Sequence, residues 1–155
     1  VDGFLCNAAS SSNAIGVIFL NCSQKLSIED ILELLVHELT HTIIFIDELS
    51  NVQFDYEELV KKEHYSKSAI LNSSRPLDKV VHSIIVAAQI IRFRRKYQDS
   101  YDISKVFVHP KTEIMLSKTK ESIDELLSTS FINKVMSEHS ISLIKETRNS
   151  LNKIN

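Results

Sequence analysis

The sequence predicts a mainly α domain, α+β only through one short strand near its start. Three observations carry this expectation. The 155 residues include just two glycines and two prolines, so few positions force a turn or break a helix. Apolar residues recur at three- and four-residue spacing over long stretches. Only one run, Ile15-Gly16-Val17-Ile18-Phe19-Leu20, has the composition of a buried strand, and it ends at Asn21.

The elements follow in order. Residues 1–14 read as irregular, with Ser10-Ser11-Ser12-Asn13 as a loop signal. The strand over 15–20 precedes the most distinctive helix and could line a cleft with its edge, where an extended peptide adds by backbone hydrogen bonds. Ser27-Ile28-Glu29-Asp30 has the form of a capping box with acids in the first turn. The helix it opens runs from Ile28 to Leu49 and is apolar over most of its circumference, so it is expected to be the buried central helix. Residues 50–74 are less regular and hold a turn or short helix. A second long helix spans Leu77 to Arg95, with Pro76 in its first turn. A loop covers 98–105. His109-Pro110 starts a third helix that reaches Leu127, Ser128-Thr129-Ser130 breaks it, and a more polar fourth helix covers Phe131 to Leu151.

Length and composition bound the function. The chain reads as a single domain over 1–155, large enough for a real core. A net charge of −2 gives no bulk attraction to nucleic acid or to an anionic membrane. The cluster Arg92, Arg94, Arg95, Lys96 reads as a solvated helix end suited to the dipole. No apolar run is long enough for a membrane span, and no leader pattern opens the chain. Cys6 and Cys22 read as free thiols, which points to a cytoplasmic protein. The chain begins with Val1, as a processed product or a fragment would.

The segment Val36-His37-Glu38-Leu39-Thr40-His41 carries the chemistry. It is an H-E-x-x-H match inside a helix. Residues four apart stand on one helix face, so His37 and His41 can present two imidazoles to one metal ion. Glu38 lies beside them, where a carboxylate can act as general base on an activated water. With this composition a shuffled chain shows the pattern roughly once in sixty trials, and seldom in a helix.

A catalytic metal usually takes three protein ligands. Asp47 stands where a metzincin carries its third histidine, and Glu57, Glu58 and Glu63 lie in no obvious long helix. The best candidate is His82, in the middle of the second apolar helix. Asp78, one turn earlier, can accept a hydrogen bond from its other ring nitrogen. The plainer alternative is a core histidine satisfied by Asp78 alone. Arg75 and Tyr65 are candidates to stabilise an oxyanion. His64, His109 and His139 read as surface residues.

The stretches Gly16 to Asn21, Leu34 to Leu49, Ser68-Ala69-Ile70-Leu71, Arg75 to Ser83 and His109-Pro110-Lys111-Thr112 resemble the HExxH-motif peptide-modification proteins of bacteria. The resemblance touches roughly residues 15–118. It implies a zincin-like helical domain with two packed metal-ligand helices, a short N-terminal strand and two C-terminal helices. It also implies His82 as third ligand and a peptide or protein substrate. The chain is shorter than that family, which leaves room for an N-terminal substrate-binding part absent from it. The bare motif implies zinc and hydrolysis with Glu38 as base. Part of the grouping is held to be iron(II) and 2-oxoglutarate dependent peptide β-hydroxylases, in which Arg75 would hold the cosubstrate's far carboxylate. A third expectation is a non-catalytic helical binding module.

Overall fold

The computed structural model describes residues 7–21, 25–70 and 73–154. Cys6 and Cys22 lie outside them, so the expectation of free thiols is not addressed. Among the described residues the fold is mainly helical, with six helices and two small antiparallel sheets. No described helix is long and apolar enough to cross a membrane.

A hairpin opens the chain. Strand β1 (Ala8–Ser10) pairs with β2 (Ile18–Leu20), Ala9 opposite Phe19. The turn between them uses Gly16 at φ +91°, a conformation that disfavours any side chain. The strand expected over 15–20 is therefore β2 alone, and β1 occupies part of the segment expected to be irregular. Three residues are too few for a period of two to stand out from the sequence.

Helix α1 (Ile28–Ser50) starts at the predicted capping box: Ser27 Oγ accepts from Asp30 N, and Asp30 accepts from Ser27 N. Asp30 also takes the backbone N–H groups of Phe107 and Val108, tying a distant loop to the helix start. Helix α2 (Tyr56–Leu59) and a two-stranded ladder, β3 (Ser66–Lys67) with β4 (Ser74–Arg75), follow. Helix α3 (Leu77–Lys96) comes next, then α4 (Thr112–Ser128), α5 (Ile132–Val135) and α6 (Glu138–Asn152). The helix expected over 131–151 is split at Met136, where Ser137 caps α6 and Met136 bridges to Phe54. The third helix starts at Thr112, two residues beyond the expected His109-Pro110.

The central helix is α3, not α1. Val80, Val81, Ile84, Val86, Ala87, Ile90 and Ile91 are fully buried against α1, α4 and α6. The inner face of α1 is largely polar instead: Asp30, Glu33, Glu38, Thr40 and Thr42 are buried there with Leu34 and Ile44. Thr40 and Thr42 satisfy their hydroxyls on the carbonyls of Val36 and Glu38. Leu39, Ile43, Ile46 and Leu49 face outward, 51–76% exposed. Apolar periodicity locates a face but does not say which face meets the core; here the polar row does, because it carries the site.

Candidate functional site

Helix α1 sets His37 and His41 one turn apart, and α3 packs alongside it to bring His82 to the pair. His37 Nε2 stands 3.2 Å from His41 Nε2. His41 Nδ1 stands 2.9 Å from His82 Nδ1. Glu38, also buried, accepts a hydrogen bond from Ser10 Oγ at 2.7 Å, so β1 covers the motif from the front. A cavity of about 350 Å³ opens between these elements, lined by Ala9, Ser10, His37, Glu38, His41, Phe45, Arg75, Lys79 and His82 among others.

Electrostatics suits the motif to a cation. Burial, with repulsion from the neighbouring His41 and His109 rings whenever these carry a proton charge, pushes the His37 imidazole down to about 3. Burial, with His82 and Lys79, pushes His41 down to about 4. Both rings are therefore neutral at pH 7 and offer lone pairs. Burial raises the Glu38 carboxyl, against the lowering effect of its Ser10 hydrogen bonds, which moves it toward the range of a working base.

The other sequence candidates fall out as follows. His82 is buried in the cavity wall, but its Nε2 meets Glu48 Oε1 at 3.2 Å rather than Asp78. Asp78 pairs with Lys79 Nζ at 3.3 Å, and its Oδ1 has no partner among the described residues. The acceptor thus comes from the facing helix α1, a pairing invisible to i, i+4 reasoning within α3. Arg75, at the end of β4, lines the cavity, and its guanidinium makes no hydrogen bond or ion pair among the described residues. Tyr65 is not among the cavity-lining residues. It ends the 3-10 turn Lys62–His64, and the chain reaches the cavity only further on, at Ser68 and Ile70.

Sequence reasoning missed a buried group behind the motif. Glu33, fully buried one turn before His37, accepts from both Arg94 Nε and Nη2, from Tyr101 Oη at 2.6 Å and from His109 Nδ1 at 3.0 Å. Burial alone would raise this carboxyl, but the hydrogen bonds from His109, Arg94 and Tyr101 and the Arg94 charge hold it down at about 2. Arg94 is 4% exposed, so it is no solvated helix end. The side chain of His109 is buried as well, and its Nε2 stands 3.1 Å from His37 Nδ1. His64 is also buried, its Nδ1 on the Glu58 carbonyl. Of the three histidines read as surface residues, only His139 is partly exposed, and it pairs with Asp47 at 2.8 Å. The available signal was a Glu and an Arg set among apolar residues on buried helix faces.

The donor set fits a divalent ion in part. Two ligands of a tetrahedral zinc ion, each about 2.0–2.1 Å from it, stand roughly 3.3 Å apart, close to the 3.2 Å between the two Nε2 atoms. His82 stands against His41 and does not yet face the same point, and no group of three or more such side chains converges among the described residues. Comparison with family models, with curated proteins and with solved structures finds no match to this chain.

Proposed function

We propose that the protein is a metal-dependent enzyme acting on a peptide or protein substrate, with zinc-supported hydrolysis as its reaction. The observation that carries the reading is the pair of neutral Nε2 atoms 3.2 Å apart, with the buried Glu38 carboxylate in the same cavity. His37 and His41 hold the ion. His82 would be the third ligand: it lines the cavity, Glu48 occupies its Nε2, and its Nδ1, now 2.9 Å from His41 Nδ1, would turn to the ion. A bound zinc ion supplies Lewis acidity and lowers the pKa of water. Glu38, in the same cavity, would accept a proton from the attacking water and return it to the leaving amine. Ser10 steers the carboxylate through one oxygen. Arg75, a cation in the cavity wall without a partner among the described residues, receives the oxyanion or a substrate carboxylate. Among the described residues β1 pairs only with β2, and Ala9 and Ser10 of that strand line the cavity, which suits an extended peptide laid along them.

Arg75 and Lys79 together favour a second reading. Two cations in one small cavity suit a dicarboxylate such as 2-oxoglutarate, and the same histidines then serve an iron-dependent hydroxylation. Three-imidazole iron sites are the exception to the two-histidine, one-carboxylate pattern, which is why hydrolysis ranks first. Glu38→Gln separates the two. Hydrolysis predicts zinc-supported peptide cleavage that falls by about 10²–10⁴ in this variant and ignores 2-oxoglutarate. Iron-supported consumption of 2-oxoglutarate that survives Glu38→Gln and stops in Arg75→Ala would overturn it in favour of hydroxylation.

A further inference from the structure

Behind the motif, three segments far apart in sequence meet at one carboxylate. Glu33 comes from α1, Arg94 from the last turn of α3, and His109 from the loop before α4. Arg94 engages both oxygens of Glu33 and also donates to the Pro110 carbonyl at 2.8 Å and to Thr112 Oγ1 at 3.2 Å. It therefore fixes the loop that carries His109 as well as the carboxylate that His109 meets. A bidentate Glu33–Arg94 pair is complete without an imidazole. The buried side chain of His109 adds something else: its second nitrogen ends on His37, with the two ring planes within 18° and their centroids 5.3 Å apart, as an end-on contact requires.

The protons along this line can be assigned in order. An ionised carboxylate only accepts, so His109 Nδ1 carries the proton that meets Glu33. With one proton on the ring, the His109 lone pair lies at Nε2, and the 3.1 Å contact to His37 Nδ1 is then a hydrogen bond that His37 donates. His37 is left with its lone pair on Nε2, the atom that faces His41 Nε2. We propose that Glu33, Arg94 and His109 form a positioning relay for the motif: the carboxylate fixes the tautomer of His109, and His109 fixes that of His37, keeping the His37 Nε2 lone pair turned to the cavity. The relay uses an imidazole as a spacer between carboxylate and ligand histidine, because Glu33 lies one full turn from His37 and is already engaged by Arg94. It rests on the metal reading for its purpose but not for its existence.

Two variants test it. In His109→Gln the side-chain carbonyl reaches about where Nε2 stands and can still accept from His37; in His109→Leu nothing can. Nitrogen-15 spectra of the histidine side chains in metal-free protein report which nitrogen of His37 is protonated. Competition with a chromophoric chelator reports zinc affinity. The relay predicts an Nδ1-protonated His37 in the wild type and in His109→Gln, and a shift toward the Nε2-protonated form in His109→Leu. Zinc affinity should fall about 10–100-fold in His109→Leu and stay within a few-fold of wild type in His109→Gln. An Nε2-protonated His37 in the wild type, or a His109→Leu protein with unchanged tautomer or affinity, overturns the proposal. Should His109→Leu fail to fold, the wild-type and His109→Gln spectra decide alone. A wild type that binds no zinc yet shows the expected tautomers would sink the metal reading and leave the relay standing.

Discussion

Arg94→Leu separates a buried structural charge from a solvated one. Arg94 is 4% exposed and Glu33 is fully buried. The substitution keeps most of the apolar volume and removes two hydrogen bonds to Glu33 and one each to Pro110 and Thr112. Breaking a buried pair from one side costs about 3–5 kcal/mol, because the other charge stays behind without its partner. For a chain of this size that lowers Tm by roughly 10 °C. Acid unfolding gives an independent reading. Glu33 sits at about 2 in the folded protein against an ordinary value of 4.5. A depressed carboxyl stabilises the fold above its unfolded pKa, and the contribution is lost as pH falls through the folded one. Between pH 4.5 and 2 the wild type should therefore lose about 3 kcal/mol from this group, and Arg94→Leu should lose less. Urea unfolding of metal-free protein at several pH values measures both. Arg92→Ala is the control, since the exposed Arg92 hydrogen-bonds only the Ser150 hydroxyl among the described residues; its cost should stay under about 1 kcal/mol. If Arg94→Leu costs no more than Arg92→Ala, the buried network is not what holds this corner together.

The remaining predictions are shorter. Ile43→Gln on the outer face of α1 should change stability by less than about 1 kcal/mol, whereas Ile84→Ala in α3 should cost about 2–5 kcal/mol; the reverse order in chemical unfolding would restore α1 as the central helix. Glu48→Gln should weaken zinc binding about 10–100-fold through His82, and Asp78→Asn should not, as read by chelator competition. Equal losses in both variants would return Asp78 to the role that its place in α3 suggested.

The parts of the fold written in local chemistry were legible. The α1 cap follows from Ser27 and Asp30, and the start of α3 from Pro76 and the apolar stripe behind it. The motif histidines follow from i, i+4 spacing, and His82 from its place in an apolar helix. Partnerships between segments were not legible. Glu48 rather than Asp78 reaches His82 because α1 and α3 lie side by side. His109 read as a surface residue at the start of the third helix, yet it lies in the loop before that helix, which Arg94 draws against Glu33. The short strands carry too few residues for a pattern to register, and the inverted polarity of α1 emerges only once α3 is known to fill the core.

Metal binding by the motif is the claim on which the functional account stands. Protein prepared without added chelator, then equilibrated with zinc or anaerobically with iron(II) and passed over a desalting column, can be assayed for metal by elemental analysis. The account predicts about one ion per chain for the wild type, and loss of stable binding in His37→Ala and in His41→Ala, since two remaining ligands hold a divalent ion poorly. A wild type that retains neither metal, or full occupancy in either variant, would contradict it.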